Sequence, residues 1–250
     1  MGASAYIVTN RLNGNVGIAV SSEDPTYPRG SLYDREMAKV FRWTSTAGWV
    51  ELDFGSAVVI DTLAIHNHEA ESGATITVKT GDSTAALSAV STPSWQSGSI
   101  WSDLGSVSAQ FLRLEISGLT SGGIGQLVPG VRTALPRAHR YGKRPGRGRR
   151  VINHETERGM RYNYHLFKRE VRDYTWRVNE SELAAFDLLD RLTQGEIYPL
   201  TFIPDVDDPE TLYCRKLGEY RPQELADPTS APIYDVTLSL SEESRGEDLQ

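Results

Sequence analysis

Between Asn179 and Arg215 the chain carries the pattern that most narrows its fold: a capped helix, a stop, a buried strand, an acidic turn and a second strand. Asn179 is a favourable helix N-cap, and Glu182 three places on can reach back to the N–H of the cap, as in a capping box. Leu183, Phe186, Leu189 and Leu192 recur at helical spacing, with Leu188 beside them, and give one apolar stripe to a helix over 180–193. Gly195 sits where a left-handed C-cap belongs. The run Tyr198 to Ile203 is too short and too aromatic for another helix and reads as a strand. Pro199 cannot donate to a ladder, so it places that strand at a sheet edge or marks a strand start. Pro204-Asp205-Val206-Asp207-Asp208-Pro209 is turn chemistry, and Leu212 to Lys216 resumes the sheet. A single helix cannot bury its stripe alone. Leu183, Phe186, Leu189, Leu192, Phe202, Val236 and Leu238 are therefore the expected core of a helix lying on a sheet.

The remainder is dominated by period-two runs. Val50, Leu52 and Phe54 share a face, Gly55-Ser56 reads as a turn, and Val58 to Ile65 reads as a central strand. Ile76 and Val78 alternate, as do Leu112, Leu114 and Ile116, and Ile124 to Val128 closes the set. Only Leu32 to Val40 hints at a helical turn or two in this half. Several short strands between turn residues predict a mainly β fold with a sandwich or barrel at residues 1–131. Residues 151–250 restart β patterning. Tyr174, Trp176 and Val178 share one face, Val236, Leu238 and Leu240 another, and Lys168-Arg169-Glu170 is either a turn or part of one bent ribbon. The acidic tail after Ser241 reads as frayed.

Residues 132–150 separate these halves. They hold Arg132, Arg137, Arg140, Lys143, Arg144, Arg147, Arg149 and Arg150 without one acid, and Pro136, Gly142, Pro145, Gly146 and Gly148 predict an irregular linker or extended arm. The whole chain has a net charge of −7, so without the eight charges of the arm the remainder carries −15. An acidic body with a basic arm suits self-assembly, the arm of one copy lying on the body of the next. A solvated linker ranks second and contact with DNA third.

Hydrophobic content of 39% and charged content of 24% are those of a globular protein. No run of apolar residues reaches the length of a membrane span, no signal-peptide pattern opens the chain, and synthesis in a cytoplasm is the expectation. The one cysteine, Cys214, excludes an internal disulfide framework and a multi-cysteine zinc site, and reads as a packed strand residue. His66 and His68 share a strand face in principle and could ligate a metal, but no further ligands are visible, so two polar residues at a strand end is the simpler reading. Asp205, Asp207 and Asp208 lack the glycine and terminal glutamate of a calcium loop and read as a solvated turn. Ser121 to Gly125 lacks the Gly-Lys-Ser/Thr ending of a phosphate loop, and no nucleophile elbow appears. No enzyme activity, metal or cofactor is expected. Tyr27 with Arg29, and Trp95 with Trp101, could stack on sugar rings; plugging the barrel ends or meeting a neighbouring subunit is the preferred alternative.

Ser21-Ser22, Trp43, Trp49 to Gly55, Phe111 to Ile116 and Gly125 to Gly130 resemble the discoidin (coagulation factor 5/8 C-type, galactose-binding-like) domains. Phe54 departs from the usual leucine and the terminal cysteine pair is missing. The resemblance implies a β-sandwich or jelly-roll barrel with ligands at loops on one end. Leu183 to Leu192, Gly195, Tyr198 to Asp208, Tyr213 to Lys216 and Tyr234 to Leu240 resemble the distal-tail and tail-tube-like β-sandwich of long-tailed phages. Together these resemblances imply a structural protein of a phage tail tip, located in the virion and assembled in the host cytoplasm. They imply a ring of six copies joining the tail tube to hub or baseplate proteins and fibres. The arm Arg137, Arg140, Lys143, Arg144, Arg147, Arg149 and Arg150 would lie between subunits, and the discoidin-like domain would face outward, toward a host glycan or neighbouring tail proteins. The alternative is a carbohydrate-binding accessory module of a surface or hydrolytic system.

Overall fold

The structure, a computed structural model, describes residues 5–12, 15–118, 122–136, 144–155, 161–194, 197–205, 210–218, 221–225 and 232–243; for 144–155 and 161–170 it describes the backbone. The chain is mainly β. In the first half come β1 (Tyr6–Asn10), β2 (Gly17–Val20), β3 (Phe41–Arg42), β4 (Ala47–His68), β5 (Thr75–Gly81), β6 (Ser88–Ser91), β7 (Ser99–Ser117) and β8 (Gly123–Ala134). The second half holds β9 (Arg144–Glu155), β10 (Arg161–Asn179), α1 (Ala184–Thr193), β11 (Leu200–Ile203), β12 (Leu212–Leu217), β13 (Gln223–Leu225) and β14 (Ile233–Glu242).

The period-two readings hold: Val50, Leu52, Ile76, Val78, Leu112, Leu114 and Ile116 are buried in one cluster, against which Phe54 also packs. Gly55-Ser56, however, is no turn between separate strands. β4 runs through it for 22 residues, and its pairing with β7 slips between Asp53 and Val58 and again between Ile60 and Thr62. Gly55 takes φ +73°, the left-handed conformation a bulge asks of glycine. These irregularities let β4 serve two layers. Its front part pairs with β2 and its rear part with β8, while β7 follows it along both. The first half is thus the β-sandwich that its discoidin-like resemblance implied. The expected turns at Leu32 to Val40 reduce to one 3-10 turn at Arg29–Leu32.

The second half builds on its capped helix. The Asn179 side chain accepts from the N–H of Glu182 at 3.1 Å, and the Glu182 carboxylate accepts from the N–H of Asn179 at 2.9 Å. The first turn is 3-10 and α1 follows. The left-handed cap falls on Gln194 (φ +46°); Gly195, proposed for it, lies outside the described residues. Phe186, Leu189, Phe202, Val236 and Leu238 are fully buried in a second cluster with Tyr174 and Trp176, and Leu183 and Leu192 pack against it part-exposed. Lys168-Arg169-Glu170 lies within one long strand, β10, with a bulge between His165 and Phe167, so the bent-ribbon alternative is the one realised.

The separation into two halves by a linker needs correction. One sheet runs in the order β6-β5-β7-β4-β8-β1-β11-β12-β14-β10-β9. β1 is its hinge, antiparallel to β8 on one side and to β11 on the other. Ala5 and Ile7, from the start of the chain, sit in the second-half cluster. Val8, Met37, Ala64, Val128, Ile203 and Tyr213 form a seam cluster drawn from both halves. The supposed linker is largely strand: 132–134 end β8 and 144–150 begin β9, while 137–143 lie outside the described residues. Pro145 is tolerated there because β9 is the outermost strand of the order. Pro199 likewise marks a strand start and not an edge, since β11 has a partner on each side.

One buried charge was not legible beforehand. Lys216, on the same side of β12 as Leu212 and Cys214, is 1% exposed and donates its ammonium hydrogen bond to Asp190 on α1. Asp190→Asn strips the counter-charge from a buried cation and is expected to lower stability by about 1–3 kcal/mol in denaturant unfolding. Lys216→Met removes the buried cation and leaves a part-exposed carboxylate in water, and is expected to stay within about 1 kcal/mol of the parent.

Candidate functional site

The aromatic residues singled out in the sequence are not brought together. Tyr27 lies beside Arg42, whose guanidinium carbon is 4.1 Å from the centre of its ring. Arg42 in turn donates through Nε to Glu69 Oε2 at 3.0 Å and pairs through Nη2 with Oε1. Arg29 is half-exposed and donates to the Ile18 carbonyl at 3.1 Å. Trp95 donates its indole N–H to the Ala70 carbonyl at 2.6 Å and meets His68 edge-on, so it braces the end of β4. Trp101 packs at the seam, with Arg132 between it and Tyr6 at 5.6 and 5.4 Å from the two ring centres. Arg132 is fixed there by Asp61 and Asp103, as part of β8 and not of a free arm.

His66 and His68 do not form a ligand pair. Asn67 between them takes φ +52°, which breaks the alternation, and its side chain donates to the Met37 carbonyl at 2.7 Å. His66 is fully buried at the seam, with Nδ1 3.0 Å from Ser99 Oγ and Nε2 2.9 Å from Thr201 Oγ1, its ring 5.0 Å from that of Tyr213. It bolts β7 of one half to β11 of the other. Among the described residues no group of three or more His, Cys, Asp or Glu side chains could hold a metal ion. Of the acidic turn, Asp207 and Asp208 lie outside the described residues. The glycine-rich run enters β8. A Cβ on Gly125 would stand 2.8 Å from the Met37 carbonyl oxygen, so glycine here serves close packing. Cys214 is fully buried, and burial pushes its thiol well above the ordinary range, which leaves it unreactive.

What the structure does assemble lies on the outer face of β2, β4, β7 and β5. Register aligns Trp49 with Glu115 and Thr77 in one row, and Glu51 with Arg113 and Lys79 in the next. Arg113 stacks on Trp49 at 4.7 Å from the ring centre and donates through Nε and Nη2 to Glu51 Oε2 at 2.9 and 2.5 Å. The Glu51 side chain is only 9% exposed, so this pair is partly desolvated and holds the indole in place. Lys79 donates to Glu115 at 2.8 Å. Beneath, a Cβ on Gly48 would strike the indole of Trp43 at 2.3 Å, and Trp43 donates to the Trp49 carbonyl at 3.2 Å. Beside Trp49 opens a groove of about 290 Å³, lined by Trp49, Glu115, Ser21, Thr75, Thr77 and Ser117. The sequence carried its signal: with Val50 and Leu52 inward, Trp49, Glu51, Arg113 and Glu115 must point out. That signal is a tryptophan on the outward face of a period-two run, flanked by charged residues.

No family model matches the chain. No curated protein matches it either. Among solved structures it is similar to CpGH89CBM32-6 produced by Clostridium perfringens, at 12% identity and a TM-score of 0.43 over 48% of this chain and 98% of that one. It is also similar to the family 32 CBM from C. perfringens NanJ in complex with galactose, at 11% identity and a TM-score of 0.42 over 50% of this chain and 98% of that one. A Ruminococcus gnavus GH29 fucosidase in complex with fucose shares 12% identity and a TM-score of 0.45, over 50% of this chain and 27% of that one.

Two outcomes follow from the buried groups. His66→Leu strands the hydroxyls of Ser99 and Thr201 and is expected to cost about 1–3 kcal/mol in thermal or denaturant unfolding. Burial pushes the Tyr174 hydroxyl up to about 12, and the same cause raises Tyr213 and Cys214. The folded state thus holds these protons more tightly than the unfolded chain, whose tyrosines ionise near 10. The contribution of these groups is full below about pH 9, where the thiol of the unfolded chain begins to ionise, and is lost as pH rises toward 12. Tyr174→Phe is expected to flatten that decline in a series of unfolding curves.

Proposed function

We propose that this protein binds carbohydrate through the groove at Trp49 and performs no bond-making step itself. The observation that carries the reading is the composition of the groove. An indole held by Arg113 can offer an apolar surface to the C–H face of a sugar ring, and Glu115, Ser21, Thr75, Thr77 and Ser117, all with polar side chains, line the same groove. A volume of about 290 Å³ sits at the small end of ligand sites and suits one or two sugar rings. Glu115 is already paired with Lys79, which suits it to accept from neutral hydroxyls more than to attract a cation. The proposal stands on this chemistry and not on the named structural likenesses, although those proteins are sugar-binding modules and a fucosidase. Placement in a phage tail tip, with a ring of copies, tail-protein neighbours and a host glycan, rests on resemblance alone.

The test is a glycan array followed by titration calorimetry with the best sugar. Trp49→Ala is expected to weaken binding at least tenfold, and Glu115→Gln by a few-fold, with unchanged circular dichroism. No binding by the parent protein to any sugar at millimolar concentration, or undiminished binding by Trp49→Ala, would reject the proposal.

A further inference from the structure

The groove beside Trp49 is longer across the strands than along them. Along the strands it takes two outward positions on each: Ala47 and Trp49 on β4, Ser117 and Glu115 on β7, Thr75 and Thr77 on β5. That is ~7 Å at ~3.4 Å per residue. Across the strands it runs from Ser21, at the end of β2, over β4 and β7 to β5. These gaps add up to ~14 Å at ~4.8 Å each. Burial of Val50, Ile76, Val78, Leu114 and Ile116 places the positions between them on the outer face.

The two rows of the groove differ. Trp49, Glu115 and Thr77 stand in register and form its taller side. Ala47, Ser117 and Thr75 stand in register in the neighbouring row and, being smaller, leave a floor. Beyond the taller row, Arg113 stacks on the indole and pairs with Glu51, while Lys79 pairs with Glu115, which closes that long side. The trough thus has an aromatic end on β4 and a threonine end on β5, two strands away.

We propose that this groove holds two consecutive rings of an uncharged oligosaccharide laid across the strands, the first against Trp49 on β4 and the second over Thr75 and Thr77 on β5. The inference rests on the carbohydrate reading above and sharpens it. A pyranose ring is about as long as one strand gap. A ring seated on Trp49 therefore reaches Glu115 on β7, and only a second ring reaches β5. The indole supplies contact area that tolerates many sugars, so the polar residues under the second ring set the specificity. Charge selects the class of sugar. Glu115 is the one charged residue among the described residues lining the groove, and Lys79 holds it at 2.8 Å. Arg113 and Glu51 are paired at 2.5 Å, so these two acids and two bases sum to zero. A uronate or an ammonium sugar gains no counter-charge here without breaking a pair, whereas neutral hydroxyls can donate to the lone pairs that Glu115 keeps.

The test is titration calorimetry of the full chain with one-, two- and three-ring members of three neutral series: glucose with cellobiose and cellotriose, glucose with maltose and maltotriose, and mannose with mannobiose and mannotriose. In the series that binds, two rings are expected to bind at least tenfold tighter than one, and three rings within twofold of two. Thr75→Val with Thr77→Val is expected to bring the two-ring ligand within threefold of the single ring. Ser117→Ala, on the floor between the two rings, is a second variant should the valine pair misfold; it is expected to weaken the two-ring ligand a few-fold, and circular dichroism checks both. Glucosamine and glucuronate, charged counterparts of glucose, are expected to bind no tighter than glucose. A two-ring ligand no tighter than its single ring, a valine pair that loses nothing, or a charged sugar preferred tenfold overturns the inference while sugar binding through Trp49 stands. Silence in all three series also overturns it, and a blank glycan array in addition takes the carbohydrate reading with it.

Discussion

The architecture depends on the backbone hydrogen bonding of β1, which pairs with β8 through one edge and β11 through the other. Without it the chain would be two β-bodies in sequence. With it, one ladder passes from one body to the other, and the side chains follow. Ile7 enters the second core, while Val8 faces Ile203 and Tyr213 in the seam. His66 adds a polar bolt across the same joint, and Arg35 stacks on Tyr198 at 3.9 Å just outside it. The relative orientation of the halves is thereby set by directional bonds and close packing, not by a tether.

Local chemistry was legible in the sequence, and long-range pairing was not. The capping box at Asn179, the stripe at Phe186 and Leu189, and the alternation of Tyr174, Trp176, Val236 and Leu238 appear as read, because each depends on residues a few places apart. The errors share another cause. Glycine and proline punctuate the arm and Gly55-Ser56, and both are turn-formers by default. In a sheet they also serve bulges and outermost strands, and only the partner strand decides which. No pattern within Tyr6–Asn10 says that it will sit between residues 123–134 and 200–203. Nothing within Leu212–Lys216 says that α1 will cover Lys216 and supply Asp190 as its partner.

The candidate site illustrates the same limit. Tyr27, Trp95 and Trp101 drew attention as loop aromatics, yet each is occupied by neighbours that brace the fold. Trp49 instead gains its surroundings from register: Glu115 stands opposite it and Arg113 one row over, from a strand more than sixty residues away. Ser21 closes the row from the other side by accepting the Trp49 N–H at 3.0 Å. Regular sheet geometry holds these groups on rigid ground, so a ligand there would meet a surface already arranged.

Being the shared strand also has a cost during synthesis. Ile203 is translated almost two hundred residues after its partner Tyr6. At about 5–20 residues per second the ribosome leaves one flank of β1 exposed for roughly 10–40 s. Through that interval the nascent chain presents an unpaired apolar edge, the kind that chaperones recognise and that sticks to other nascent chains. The joint that makes the finished molecule rigid thus cannot close until β11 has been made.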